Sequence, residues 1–342
     1  MKSMKKSFLV IAILLVAVAI PAVSENGRWW DVYFTATGKK LLIIKNDNPE
    51  HALVRIINNA NRSFFGAFYD ITSRSIVEAL IRAKQRGIDV KLVMERDNYD
   101  RSCVAQLIQA GIPVMIDTGR GLMHNKFAII DGEIIWTGSF NITENDAKKN
   151  DNNAIEIHSS ELAEIFTDEF NEMFVDNIFG NKHNAFSLSS LFGSNHVRIQ
   201  GIDLYAYFAP EDSVENVITE LIGKAESSIH FMAFTFTSDV LGNIMIERFK
   251  RGVKVFGVFE KIGSHTKFSE YLRMKDAGIP VVIDKNKNLM HHKIIIIDGI
   301  IVIVGSYNYT KSANSRNDEN ILVIYSRDIA EKYLLEFARV YQ

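Results

Sequence analysis

Two histidines, two lysines and two asparagines recur in this chain at matching spacings. His124 and Lys126 are followed by Asp131-Gly132 and then by Gly138, Ser139 and Asn141. His291 and Lys293 are followed by Asp298-Gly299 and then by Gly305, Ser306 and Asn308. Side chains at i and i+2 share one face of an extended strand. Each histidine and its lysine therefore point to the same side, while Asn125 or His292 points to the other. Asp-Gly between apolar runs is a tight hairpin turn, which folds the glycine, serine and asparagine back beside the His-Lys pair. Neutral imidazole can attack phosphorus or exchange a proton near neutral pH. Lysine and asparagine can hold non-bridging phosphate oxygens and offset charge that develops in the transition state. Doubled, such a set suits a phosphate diester.

The two segments Leu122 to Asn141 and Leu289 to Asn308 resemble the paired signature of the phospholipase D superfamily, and both copies are complete. The resemblance spans nearly all of the chain beyond its first residues. It implies an α/β fold of two repeats, each a mixed β-sheet flanked by helices, packed about a pseudo-two-fold axis so that one active site draws on both motifs. It implies catalytic roles for His124, Lys126, Asn141, His291, Lys293 and Asn308, with Ser139 and Ser306 binding substrate. The reaction would run in two displacements through a phosphohistidine, with no metal and no cofactor. Asp131 and Asp298 read as turn and framework residues. The family also places a carboxylate after each Gly-Ser-x-Asn to orient a catalytic imidazole. Aligning Asn150-Asp151-Asn152-Asn153 with Asn317-Asp318-Glu319-Asn320 supplies Glu319 in the second copy but Asn152 in the first. The expectation is that Glu319 stands behind His291 as the acid/base. His124, backed by a neutral amide, is then the nucleophile.

The elements that must position these residues also repeat. Val32 to Phe34 and Ala206 to Phe208 open the copies, and strands around Ala67-Phe68 and Ala233-Phe234 follow. Ser73 and Ser238 start helices that end at Gly87 and Gly252. Strands at Val90 to Met94 and Val253 to Val258 come next. Second helices run into the recurring Ala-Gly-Ile-Pro-Val at Ala110 and Ala277. After the hairpins, strands at Ile155 to His158 and Ile321 to Tyr325 lead into closing helices near 160–174 and 326–341. The boundaries expected are a leader over 1–24, repeats over 25–178 and 205–342, and a Gly/Asn/Ser-rich linker over 179–204. Extra residues near Gly38 to Asn46 have no counterpart in the second copy.

The leader reads as a secretory signal. Lys2, Lys5 and Lys6 precede an apolar run from Phe8 to Ile20 and a small-residue site at Ala22-Val23-Ser24. The run is short for a bilayer span of roughly 20 residues, so export is expected, with an uncleaved anchor as the alternative. Hydrophobic residues make up 47% of the chain, enough for a sizeable core. The single Cys103 has no partner for an internal disulfide and reads as a core thiol. His51, His158, His183, His196, His230 and His265 fit no metal-ligand spacing. Arg120, Lys285 and Lys287 sit in loops before the hairpins, as site-flanking or merely solvated charges. Phe234 and Phe236 alternate along a strand near the site, either facing acyl chains or bases or, as the favoured reading, packing in the core.

Three functions fit these observations: a phospholipid phosphodiesterase that yields phosphatidic acid, a nuclease of the same superfamily, or a catalytically weak binding protein permitted only by Asn152. A formal charge of −2 from 39 basic and 41 acidic residues lacks the excess of positive charge expected of a nucleic-acid binder. Charge and export therefore lean toward a phospholipid, with nucleic acid and a membrane surface left open as partners. No protein partner is implied, and a monomer is expected.

Overall fold

The computed structural model describes residues 28–35, 48–180 and 195–342. The leader, the extra residues near Gly38 to Asn46 and most of the expected linker lie outside these.

Each copy builds one mixed sheet. The first contains β1 (Trp30–Phe34), β2 (Ser63–Phe68), β3 (Asp89–Met94), β4 (Val114–Ile116), β5 (Lys126–Ile130), β6 (Ile134–Gly138) and β7 (Asn153–His158), ordered β1-β7-β6-β5-β2-β3-β4. Only β2, β3 and β4 run parallel to one another. The second contains β8 (His196–Ile199), β9 (Ile202–Ala209), β10 (Ser228–Ala233), β11 (Lys254–Phe259), β12 (Val281–Ile283), β13 (Lys293–Ile297), β14 (Ile301–Gly305) and β15 (Glu319–Tyr325). Its order, β12-β11-β10-β13-β14-β15-β9-β8, repeats the first with β8 added at one edge. That strand corrects the linker boundary: β8 pairs with β9 antiparallel inside the stretch expected to be a connection.

The helices form three layers around these sheets. On the outer face of the first sheet lie α1 (Pro49–Asn59), α2 (Arg74–Gln85) and α3 (Ser102–Gln109). The sequence reading missed α1, although Asn48 caps it and Pro49 opens it. A short α4 (Glu144–Lys148) and the long α5 (Ser160–Phe174) complete the first copy. The second copy repeats the pattern with α6 (Val214–Gly223), α7 (Asp239–Lys250), α8 (Glu270–Asp276), α9 (Lys311–Ser315) and α10 (Arg327–Tyr341). Ser73 and Ser238 cap α2 and α7 as expected, accepting the N–H of Ile76 and Leu241.

Between the sheets lie α5 and α10, and one core spans both copies. In it, Phe166 of α5 meets Phe127 of β5 and Phe208 of β9 edge-on, with ring centres 5.1 and 5.2 Å apart. Because each hairpin is covered on both faces, β5 and β13 are buried at every position. This explains why their sequences are apolar runs rather than alternations. Phe127 and Ile129 join the inner core, and Ala128 and Ile130 the outer one.

Candidate active site

The hairpin turns are the first positioning device. Asp131 and Gly132 have φ of +57° and +66°, and Asp298 and Gly299 of +54° and +65°, as a mirror-image turn requires. The Asp131 carboxylate then accepts the backbone N–H groups of Asn61, Arg62 and Ser63 at 2.7–2.9 Å. Asp298 does the same for Glu226, Ser227 and Ser228. Both aspartates tie the turn to the start of the neighbouring strand, β2 or β10, which is the framework role expected of them.

The second device joins the two copies. His124 N–H donates to the Asp318 carbonyl at 3.0 Å, and Asp318 N–H to the Leu122 carbonyl at 2.9 Å. Likewise, His291 N–H donates to the Asp151 carbonyl and Asp151 N–H to the Leu289 carbonyl, both at 2.8 Å. Each is a short parallel bridge between copies. Each clamps a motif histidine to the residue just before the side chain that the other copy sets against its imidazole.

These bridges overturn the expected pairing. Glu319 Oε2 lies 2.8 Å from His124 Nδ1, and Asn152 Oδ1 lies 2.9 Å from His291 Nδ1. The orienting group therefore comes from the opposite copy, and the carboxylate backs His124, not His291. The two serines also differ from expectation. Buried Ser139 Oγ donates to Asn152 Oδ1 at 2.9 Å and accepts the Asn153 N–H. Ser306 Oγ donates to Glu319 Oε2 at 2.6 Å and accepts the Asn320 N–H. Both hydroxyls are committed to holding the orienting residues rather than facing a substrate.

With Nδ1 engaged on each ring, Nε2 is the nitrogen left for chemistry. Lys126 Nζ and Lys293 Nζ donate to the carbonyls of His124 and His291 at 2.7 and 2.8 Å, which fixes both ammonium groups beside the imidazoles. Asn141 Oδ1 and Asn308 Oδ1 are buried without a hydrogen-bond partner. Each is an acceptor still lacking a donor, so it is the amide Nδ2 that could donate to an anion. Asn125 and His292 turn away as alternation requires, toward Glu169 of α5 and Glu336 of α10.

Burial dominates the electrostatics. It pushes His124 down to about 4, against the pull of Glu319, and Lys126 down to about 8. His291 falls well below its ordinary range through burial, then through Lys293, Lys126 and His124. Lys293 falls well below its own range through burial and Lys126. Buried cations crowded in this way create a strong demand for an anion, and a phosphate diester between the lysines would meet it.

Two aromatic neighbours complete the walls. The Tyr69 ring lies 5.0 Å from His124, edge-on, with Lys126 Nζ 5.2 Å from its centre. Phe234 stands likewise 4.6 Å from His291, with Lys293 Nζ 4.7 Å away. Matching the Ala67-Phe68 strand to the Ala233-Phe234 strand by sequence equates Phe68 with Phe234. The strand register places Phe68 opposite Lys126 and Ala233 opposite Lys293, so Tyr69 is the true counterpart of Phe234. Phe236 is core, as expected, but Phe234 is only half-buried and lines the site against His291 instead. Arg120, Lys285 and Lys287 are exposed, and Cys103 is a buried free thiol. No group of three or more His, Cys, Asp or Glu side chains suited to a metal is gathered among the described residues. No helix among them is long and apolar enough to cross a membrane.

The chain is similar to several known proteins. The family described as cardiolipin synthase, PLD-like domain, matches twice, at residues 53–174 and 218–341. A phospholipase D of Rickettsia prowazekii (strain Madrid E) is 36% identical over 151 residues, which cover 44% of this chain and 70% of that protein. A mitochondrial cardiolipin hydrolase of Xenopus tropicalis is 32% identical over 131 residues, covering 38% of this chain and 62% of that protein. The crystal structure of a phosphatidylserine synthase from Haemophilus influenzae Rd KW20 aligns with 85% of this chain and 83% of its own, at a TM-score of 0.65 and 15% identity. That last likeness is one of fold.

Proposed function

This chain belongs to the PLD-like domain family, two copies of which it carries, and from that premise we propose that it hydrolyses the head-group phosphodiester of a phospholipid through a covalent phosphohistidine. The observation that carries the reading is the convergence of His124, Lys126, His291 and Lys293 in one buried site, each imidazole anchored through Nδ1 by the other copy. The lipid substrate draws support from the relatives' names, phospholipase D and cardiolipin hydrolase.

His124 is the better nucleophile, for a reason opposite to the one expected from sequence. Glu319 accepts its Nδ1–H, which leaves the Nε2 lone pair free and offsets the positive charge the ring acquires on bonding to phosphorus. As Nε2 attacks phosphorus, the bond to the head-group oxygen breaks, and His291 Nε2–H protonates that oxygen. In the second step water gives a proton to His291 and attacks phosphorus. Phosphatidic acid leaves and His124 is restored. Lys126 and Lys293, with the Asn141 and Asn308 side chains, would hold the non-bridging oxygens throughout. The bound diester anion relieves the repulsion between the lysines and His291, so His291 can hold a proton when the acid is needed.

The test is a side-by-side assay of the purified protein on phosphatidylcholine, cardiolipin, single-stranded DNA and double-stranded DNA. Lipid turnover above DNA turnover is expected; the reverse would install the nuclease reading. With an aryl phosphodiester, His291→Asn should still pass the first step and accumulate an adduct. Quenched in alkali, because a phosphoramidate is acid-labile, that adduct should lie on the peptide containing His124. An adduct on His291 in the His124→Asn protein would reverse the roles. Activity should also survive a strong chelator. Loss on chelation, with recovery on adding a divalent metal, would sink the mechanism.

A further inference from the structure

The pairing of copies leaves His291 with only a neutral amide behind it, yet a buried carboxylate stands beside that amide. Asp146 Oδ2 lies 3.8 Å from His291 Nδ1. Asp146 sits on α4, the short helix after the first Gly-Ser-x-Asn. Its counterpart on α9 is Ala313, since Thr143 and Thr310 cap the two helices alike. One copy thus carries Asp146 with Asn152, and the other Ala313 with Glu319. A carboxylate is present once in each copy, at different positions.

Neighbouring bonds support treating the two as equivalent. In the second copy, Asn317 Nδ2 donates to Glu319 Oε1 at 3.2 Å. In the first, the matching Asn150 Nδ2 donates to Asp146 Oδ1 at 2.6 Å. The same amide therefore tethers the carboxylate in both, although the carboxylate has moved along the chain. Asp146 Oδ2 also accepts the backbone N–H of Asn141 at 2.9 Å, tying it to the motif asparagine of the first copy. Meanwhile Asn152 Nδ2 is buried with no partner, in the copy where a glutamate would put an oxygen.

Resting on the proposed function, we propose that Asp146 is a positioning residue for His291, supplying from α4 the negative charge that Asn152 lacks, so that His291 can carry the leaving-group proton. The other groups facing His291 are Lys293 from β13, Lys126 and His124 from the first hairpin, the Phe234 ring after β10, the Ser139 backbone and Asn152. All the charged members of that set are cations or potential cations, and Asp146 is the carboxylate that opposes them at His291.

Two variants test this: Asp146→Asn, which keeps an acceptor for the Asn141 N–H, and the relocation double Asp146→Ala with Asn152→Glu. The double copies the second copy's arrangement into the first, so its backbone has a precedent at Ala313. With inorganic phosphate as the probe, NMR titration of the His291 ring should move to lower pH by about one unit or more in Asp146→Asn, since an opposite charge at this range shifts a group by roughly 1–3 units. The double should move it back. On phosphatidylcholine, Asp146→Asn should lower kcat about 10- to 100-fold with KM little changed, within the reach of general acid catalysis. The basic limb of its pH profile should shift down, and the double should restore both. An unmoved His291 titration in Asp146→Asn overturns the inference whether or not lipid is turned over. So does a loss that the relocated glutamate fails to restore in a folded double. Wild-type protein that cleaves no phosphodiester overturns the proposed function instead.

Discussion

The two copies meet at two bridges with the same backbone pattern but different charges around it. At the Asp151–Met290 bridge, Arg339 Nη2 donates to Asp151 Oδ1 at 2.7 Å and to Glu336 Oε1 at 2.6 Å. Glu336 also takes His292 Nε2 at 2.9 Å. Burial would raise Glu336, but the bonds from Arg339 and His292 win and hold it below its ordinary range. At the Met123–Asp318 bridge the counterparts of His292, Glu336 and Arg339 are Asn125, Glu169 and Glu172. Asp318 accepts the Gly180 N–H at 2.6 Å, and no cationic side chain among the described residues pairs with it or with Glu169. Burial and the carboxylates around it raise Asp318 well above its ordinary value, and Glu169 likewise. Duplication therefore preserved the main-chain clamp at each histidine and let the surrounding charges diverge.

The largest contrast should appear on removing the cation. Arg339→Met leaves Asp151 and the fully buried Glu336 without their main partner. Stranding a buried charge in this way typically costs about 3–5 kcal/mol. Glu172→Gln, at the matching position, removes a like charge and should be neutral or stabilising. Urea unfolding of both variants checks this. Equal destabilisation would mean that the two bridges are energetically alike.

The repeat, the hairpins, the capped helices and the pairing of each histidine with its lysine were legible in sequence because each rests on local rules: alternation, turn chemistry and capping. The crossed pairing was not. Nothing near Glu319 in the chain says that Asp318 will lie against His124 of the other copy; only the packing of α5 and α10 between the sheets decides that. Tyr69 was missed for a smaller reason, a one-residue slip of alignment in a strand whose apolar run gives no alternation to fix its register. The helices α1 and α6 and the edge strand β8 went unread, although Asn48-Pro49 is a readable start. Asp146 was hidden because alignment looks for a carboxylate where the other copy has one, and here it had moved to a different element.

A kinetic contrast of intermediate size concerns how close the bridges run. A Cβ added to Gly121 would come within 1.8 Å of the Arg316 carbonyl oxygen. The backbone before Asp318 must then shift, carrying Glu319 away from His124. Asn288, at the matching position of the other copy, already carries a side chain and is exposed. Gly121→Ala should therefore lower kcat about 100-fold, the cost of a misplacement of about 1 Å in a catalytic group. Asn288→Ala should change it little. A Gly121→Ala protein that is folded and fully active would show that the first bridge does not set the His124–Glu319 geometry.

The smallest effect is the pH dependence of the uncompensated side. Glu169 and Asp318 are raised in the folded protein, so their protonated forms are favoured by folding. Their contribution to stability is present in full below the unfolded carboxylate value of about 4 and is lost as pH climbs through the raised folded values. Glu336 works in the opposite direction: its contribution is present above the unfolded value and is lost as pH falls through its depressed one. Glu169→Gln should consequently be more stable than wild type at mildly alkaline pH. The difference should shrink as pH drops toward 5. Thermal unfolding of both proteins across that range reads it directly, because the shared groups cancel in the difference. A gap that stays constant with pH would mean that Glu169 titrates normally and that the acidic side of the interface is as well compensated as the Arg339 side.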